Sequence, residues 1–93
     1  MKKRVLIIDD DLDMCTLLSR YLSRNNFDTD VAYSGPKGIA KFEEDKFDIV
    51  ICDYRLGNMD GKEVLQTIKK LKPDTIVLII TGYSDIKTAI DVI

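Results

Sequence analysis

Two short apolar runs, each ending in acidic residues, constrain the fold of this chain more than any other feature. Residues 5–8 lead directly into Asp9 and Asp10, and residues 49–52 lead into Asp53. Each run is apolar at every position and rich in β-branched residues, which is typical of a parallel strand buried on both faces. Because the carboxyl ends of parallel strands meet at one edge of a sheet, these carboxylates should converge. Like charges repel one another, so the convergence indicates a bound cation or chemistry on a bound anion.

The rest of the chain alternates between strand-like and helix-like segments. Residues 29–33 predict a second strand at a sheet edge, and residues 76–80 predict a fourth strand. Four segments between and after the strands have apolar residues at helical spacing. Their predicted inward positions are Met14, Leu17, Leu18, Tyr21 and Leu22; Gly38, Ile39 and Phe42; Val64, Leu65, Ile68 and Leu71; and Ile86, Ala89, Ile90 and Ile93. The alternation with short connections predicts an α/β domain with a parallel sheet covered by helices on both faces.

Polar residues mark the predicted helix ends. The predicted N-terminal caps are Asp11, Ser34, Asp60 and Ser84. Their side chains can accept hydrogen bonds from the free backbone N–H groups of a first helical turn. Asn25 and Asn26 should end the first helix, and Pro73 should end the third.

Composition excludes several classes of function. We expect the 93 residues to form one domain, and their net charge of −2 leaves no basic surplus for binding nucleic acid. The chain has no His, and Cys15 and Cys52 are far apart, so the common zinc sites are excluded. The basic start lacks a long apolar run, and residues 76–80, the longest apolar stretch, are too short to span a bilayer. Two isolated thiols fit a reducing compartment, so we predict a cytoplasmic protein.

The predicted strand ends favour a magnesium site. A nucleotide fold would place a Gly-rich turn after the first strand, whereas three consecutive aspartates here would repel phosphate unless a metal intervenes. Mg²⁺ prefers one or two carboxylates and bridges to phosphate oxygens, and Asp9 and Asp10 could supply such a pair. Asp53 could ligate the metal and also attack phosphorus, forming an aspartyl phosphate. Thr81, after the fourth strand, could donate a hydrogen bond to a phosphoryl oxygen.

Four segments of the chain, residues 5–11, 48–53, 59–61 and 79–82, match the motifs of one known family in order and spacing. Through them the chain resembles the receiver domain of bacterial two-component response regulators. The resemblance implies that residues 1–93 are a receiver domain in which Asp53 accepts a phosphoryl group from a sensor histidine kinase. It also implies that Asp9, Asp10 and Asp53 hold Mg²⁺ together with the backbone carbonyl of Arg55, and that Thr81 is the switch hydroxyl. The implied fold is a flavodoxin-like, doubly wound sheet with strand order 2-1-3-4.

Two departures from the family pattern give further expectations. The loop after the phosphoacceptor strand lacks the family's Pro, and Gly57-Asn58 should make the turn with other backbone angles. The family's fifth strand, which begins with a Lys, and its fifth helix would lie beyond Ile93, so we expect a domain incomplete at its C-terminus. Without the Lys, three carboxylates and Mg²⁺ leave a charge of about −1 before a phosphoryl group adds about −2. We therefore expect this chain to bind metal but to be phosphorylated poorly.

The expected lack of the fifth strand and fifth helix also predicts that the chain associates with itself. An uncovered apolar strand at residues 75–80 and the terminal helix should pair with a second copy, giving a homodimer or a larger assembly.

Two alternative functions remain open at this point. One is a Mg²⁺-dependent phosphatase of the haloacid dehalogenase type, but that chemistry requires a second Asp two residues after the nucleophile, where this chain has Arg55. The other is a receiver-like dimerisation module that is not phosphorylated. We favour a signalling module over an enzyme that turns over a diffusing substrate. Residues 82–90 resemble receivers that precede sigma-54 activator or DNA-binding modules, which suggests a role in transcription regulation.

Overall fold

The computed structural model describes residues 2–57 and 59–81 and has the predicted alternation of strands and helices. The predicted last helix, with its cap at Ser84, lies outside the described residues. No helix in the described part of the chain is long and apolar enough to cross a membrane. In chain order the elements are β1 (Arg4–Ile8), α1 (Leu12–Arg24), β2 (Asp28–Ala32), α2 (Gly35–Glu44), β3 (Ile49–Asp53), β4 (Arg55–Leu56), β5 (Met59–Asp60), α3 (Gly61–Leu71) and β6 (Ile76–Ile80).

The main sheet has four parallel strands in the order β2-β1-β3-β6. This is the predicted order 2-1-3-4, since β6 is the fourth long strand, and β2 lies at an edge as predicted. Ile8 of β1 pairs with Cys52 of β3, so the residue after β1 lies beside Asp53. Asp53 in turn pairs with Ile80 of β6. The register therefore brings the ends of three strands to the same rim.

The sheet is covered on both faces, which explains why its central strands are apolar at every position. One core, under α1, contains Val5 and Ile7 of β1, and the other, under α2 and α3, contains Leu6 and Ile8. All four side chains are fully buried. The two-sided burial inferred from residues 5–8 and 49–52 is confirmed.

The inward face of α1 differs from the predicted one. Met14, Leu18 and Leu22 are buried as expected, but Leu17 and Tyr21 are 49% and 43% exposed, and Cys15 is buried instead. The face that packs on the sheet is therefore rotated towards position 15. In α3, Val64 and Ile68 are buried, whereas Leu71 is 51% exposed in the last turn.

The predicted helix caps are present in the described residues. The Asp11 carboxylate accepts hydrogen bonds from the backbone N–H groups of Asp13 and Met14 at 3.0 and 3.3 Å. Ser34 and Asp60 cap α2 and α3 in the same way. Asn25 ends α1, and Asn26 follows in the left-handed region with φ 70°.

A short antiparallel hairpin, formed by β4 and β5, follows β3. The sequence indicated a turn here but not the two strands. Gly57 has φ 68°, a left-handed conformation that glycine adopts without steric penalty. The expectation that Gly57 takes part in the turn is confirmed, whereas Asn58, the other residue expected there, lies outside the described residues. The hairpin leads directly into α3, so the chain returns to the rim immediately after Asp53.

The β2 edge is covered at its centre by a side chain from α2. The Lys41 ammonium donates hydrogen bonds to the Val31 carbonyl at 2.7 Å and to the Asp30 carboxylate at 2.8 Å. The same Asp30 oxygen accepts a hydrogen bond from the Val31 backbone N–H at 2.8 Å. Both backbone polar groups of Val31 thus have partners, which makes this edge a poor template for a further strand.

Candidate functional site

A cleft of about 220 Å³ lies at the carboxyl ends of β1, β3 and β6. It is lined by Asp9, Asp10, Asp11, Met14, Asp53, Ile80 and Thr81. None of these lining residues has a positively charged side chain.

Asp9, Asp10 and Asp53 form a compact carboxylate cluster in this cleft. One carboxylate oxygen from each residue lies within 4.8 Å of the corresponding oxygens of the other two. Asp9 is buried, Asp53 is partly buried and Asp10 is exposed. An all-oxygen donor set that is open on one side suits a hard divalent cation that keeps some of its waters. The residues therefore fit Mg²⁺.

Backbone hydrogen bonds fix the position of Asp9. Its N–H donates to the Ala32 carbonyl at 3.0 Å, which extends the pairing of β1 with β2 by one residue. Its carboxylate accepts a hydrogen bond from the Asp11 N–H at 2.9 Å. Asp9 is thus held between the end of a strand and the start of a helix.

The segment that carries Asp53 is held from two sides. The N–H of Tyr54 donates to the Ile80 carbonyl at 2.9 Å, which continues the ladder between β3 and β6. The N–H of Gly61, the first residue of α3, donates to the Tyr54 carbonyl at 2.7 Å. The backbone on the C-terminal side of Asp53 is therefore fixed both by the sheet and by α3.

The cluster is electrostatically unfavourable without a cation. Burial, with added repulsion from Asp53 and Asp10, raises the pKa of Asp9 from 3.8 to about 6, although the Asp11 N–H opposes the rise. Burial is also the main cause that raises the pKa of Asp53, followed by repulsion from Asp10, with the Arg55 N–H acting in the opposite direction. A divalent cation would offset this repulsion.

Thr81 and Arg55 differ in their relation to the cleft. Thr81 follows Ile80, the partner of Asp53 in the sheet, and lines the same cleft as the three carboxylates. Arg55 lies at the start of the hairpin and borders a neighbouring cleft with Tyr54 and Thr81. The structure brings Thr81 together with the acidic cluster, and the role of the Arg55 carbonyl as a metal ligand stays a prediction.

Both thiols of the chain contact the backbone of cluster residues, which the sequence did not indicate. The Cys15 thiol donates to the Asp9 carbonyl and the Cys52 thiol to the Asp53 carbonyl, each at 3.3 Å. Burial, followed by repulsion from the nearby carboxylates, raises the pKa of Cys15 to about 11 and that of Cys52 to about 12. The thiols are therefore protonated, buried and poorly reactive. The expectation that Cys52 is part of the core is confirmed.

Comparison with known families identifies this arrangement. The family model described as the response regulator receiver domain matches residues 5–93. The chain belongs to this family. It is a receiver domain of two-component phosphorelay signalling, and the flavodoxin-like α/β fold expected from the sequence is confirmed.

The receiver domain is similar to part of longer regulators, whose names describe control of transcription or of acid tolerance. The transcriptional regulatory protein ZraR of Salmonella typhimurium is 39% identical over 87 residues, which is 94% of this chain and 20% of ZraR. The acid tolerance regulatory protein ActR of Sinorhizobium medicae is 33% identical over 91 residues, which is 98% of this chain and 47% of ActR. The chain thus spans about a fifth of the length of ZraR and about half that of ActR.

Solved receiver structures have the same fold. A CheY-like receiver domain protein from Methanospirillum hungatei superposes with a TM-score of 0.85 at 29% identity, covering 97% of this chain and 72% of that one. The response regulator TrrA from Thermotoga maritima, solved in complex with Mg²⁺ and BeF, has a TM-score of 0.83 at 31% identity, covering 92% and 75% of the two chains.

Proposed function

We propose that this receiver domain accepts a phosphoryl group on Asp53 from a sensor histidine kinase in a Mg²⁺-dependent reaction. The observation that carries the proposal is the convergence of the Asp9, Asp10 and Asp53 carboxylates to within 4.8 Å at one rim of the sheet. Three carboxylates so close together are explained by a cation that they share.

The proposed metal ligands are the carboxylates of Asp9, Asp10 and Asp53 and the backbone carbonyl of Arg55. When bound, Mg²⁺ would neutralise charge on the carboxylates and on the phosphoryl oxygens. TrrA, which is similar over 92% of this chain, was solved in complex with Mg²⁺ and BeF, and this supports the proposal that the present receiver domain binds Mg²⁺.

In the proposed reaction, Asp53 acts as the nucleophile. One of its carboxylate oxygens attacks the phosphorus of a phosphorylated histidine, so that an O–P bond forms while the N–P bond breaks and its electron pair remains on the imidazole nitrogen. The Thr81 hydroxyl, which lines the same cleft, would donate a hydrogen bond to a phosphoryl oxygen and so report the phosphorylated state to the rest of the domain. The fixed Tyr54 backbone limits the movement of the nucleophile before attack.

The domain is proposed to act as a switch within a longer protein and not as an enzyme with a diffusing substrate. Its relatives are transcriptional regulatory proteins, so we propose a cytoplasmic regulator of transcription in which another part of the protein binds DNA. Association through β6 stays a prediction. Ile76 is 51% exposed, Thr75 and Ile80 are buried, and β6 has β3 as its only strand partner among the described residues.

The first test measures Mg²⁺ binding and phosphorylation on the same chain. Isothermal titration with Mg²⁺ should show one site in the wild type and greatly weakened binding in Asp53→Asn. The matched control is Asp28→Asn, which removes an exposed carboxylate from the β2 edge.

The second part of the test uses acetyl phosphate with Mg²⁺ and peptide mapping by mass spectrometry. Since no cation lines the cleft among the described residues, we expect slow and partial labelling that is confined to Asp53. Labelling of another residue, or wild-type binding of Mg²⁺ by Asp53→Asn, would contradict the proposal. Metal binding without any labelling would favour the phosphorylation-incompetent module.

A further inference from the structure

The first residue of α3, Gly61, lies directly against the backbone that carries Asp53. A methyl group at this position would lie 2.7 Å from the Asp53 carbonyl oxygen and 3.0 Å from the Cα of Tyr54. Both distances are shorter than ordinary van der Waals contact between such atoms. The Gly61 N–H also donates to the Tyr54 carbonyl at 2.7 Å. The absence of a side chain thus permits a contact between the start of α3 and the end of β3.

The atoms opposite Gly61 cannot move aside easily. They belong to backbone, and that backbone is held by the pairing of Asp53 with Ile80 and by the Tyr54–Ile80 hydrogen bond. Gly35 provides a contrast, since a methyl group there would meet the sulfur of Met59 at 2.7 Å, and the end of that flexible side chain can rotate away.

Backbone angles do not explain this glycine. Gly61 does not have a positive φ, so alanine could adopt its conformation, and alanine favours helix over glycine. Position 61 therefore requires glycine because a side chain would not fit beside the Asp53–Tyr54 backbone.

We propose that Gly61 is a positioning residue for the site: by carrying no side chain, it lets α3 seat on the Asp53–Tyr54 backbone and so holds the Asp53 carboxylate at its short distance from Asp9 and Asp10. This inference rests on the proposed function of the acidic cluster. A methyl group at position 61 would push the end of β3 and α3 apart. The Asp53 carboxylate would then move relative to Asp9 and Asp10, which are carried by a different strand.

The test compares Gly61→Ala with Gly35→Ala, a control in which the added methyl group meets the end of the Met59 side chain, which does not line the cleft of the acidic cluster. Mg²⁺ affinity is measured by isothermal titration at a temperature where circular dichroism shows both variants folded. We expect Gly61→Ala to weaken Mg²⁺ binding by about tenfold or more, as is typical when residues that support metal ligands are changed. Gly35→Ala should stay within about twofold of the wild type, because the Met59 side chain can adjust without moving the backbone that carries the ligands.

A folded Gly61→Ala chain with wild-type Mg²⁺ affinity would overturn the positioning role and leave the proposed function intact. A wild-type chain that binds no Mg²⁺ would instead defeat the proposed function itself.

If Gly61→Ala does not fold, the wild type still provides a test. In a two-dimensional ¹H–¹⁵N spectrum, adding Mg²⁺ should shift the amide resonances of Gly61 and Tyr54 together with that of Asp53, while the Asp28 amide, at the opposite end of the sheet, stays in place. A Gly61 resonance that does not respond while Asp53 does would overturn the inference.

Discussion

Replacing Asp9 with Asn should stabilise the chain when no metal is present. Asp9 is 2% exposed, and its pKa is raised from 3.8 to about 6. Each tenfold change in proton affinity corresponds to about 1.4 kcal/mol, so keeping Asp9 ionised at neutral pH costs roughly 3 kcal/mol of folding free energy. Asn keeps the oxygen that accepts the Asp11 N–H and adds an amide that can donate to the nearby Asp53 carboxylate. We expect Asp9→Asn to raise the free energy of unfolding by roughly 1 to 3 kcal/mol.

The direction of the pH dependence follows from the raised pKa. The folded chain binds the Asp9 proton more tightly than the unfolded chain does, so the destabilisation is absent below pH 3.8 and complete above about pH 6. The stability difference between Asp9→Asn and the wild type should therefore appear over this window as pH rises. Urea unfolding in the presence of a chelator, at several pH values between about 4 and 7.5, measures it.

Adding metal should reduce the stability difference between Asp9→Asn and the wild type. Mg²⁺ should stabilise the wild type by mass action and have little effect on Asp9→Asn, which has lost a ligand. Asp28→Asn serves again as the control and should follow the wild type in both conditions. If Asp9→Asn were no more stable than the wild type near neutral pH without metal, the repulsion inferred for the cluster would be wrong.

Two further predictions test the packing and the covered edge. Leu18→Ala should lower the free energy of unfolding by about 2–5 kcal/mol because Leu18 is fully buried, whereas Leu17→Ala, at a half-exposed position, should change it by less than about 1 kcal/mol; equal losses in urea unfolding would contradict the observed face of α1. Burial raises the pKa of Asp30, but hydrogen bonds from Lys41 and the Val31 N–H leave it below 3.8. Lys41→Met should therefore lower the free energy of unfolding by up to about 1 kcal/mol near neutral pH, and this loss should shrink as pH falls below 3.8. Light scattering should also detect more association of the variant, because its β2 edge is no longer covered. Unchanged stability and association of Lys41→Met would argue against a role of Lys41 in covering the β2 edge.

Much of the fold could be predicted because its central strands are covered on both faces. Residues 5–8 and 49–52 are apolar at every position for that reason. Each of these apolar runs predicts a buried strand even when the neighbouring strands in the sheet are unknown. The buried face of α1 could be predicted only in part. The spacing of Leu17 and Tyr21 fits a helix, but their exposure depends on how α1 lies across the sheet, which local sequence does not determine.

The acidic site was predictable for a related reason. Asp9 and Asp53 each follow a strand directly, and the carboxyl ends of parallel strands share a rim, so strand boundaries alone bring them together. The hairpin was not predictable, because strands of two residues are too short to show a pattern. The close approach of Gly61 to Asp53 was not predictable either, since it depends on the path of the chain after the hairpin.

Cys15 and Cys52 belong to cores on opposite faces of the sheet, and each thiol is bonded to the carbonyl of an aspartate in the cluster. An alkylating reagent can reach such a group only during a transient opening of the native chain. The rate at which each cysteine is modified therefore reports how often the native chain opens on that face. Comparing the two rates would show which layer of helices separates from the sheet first.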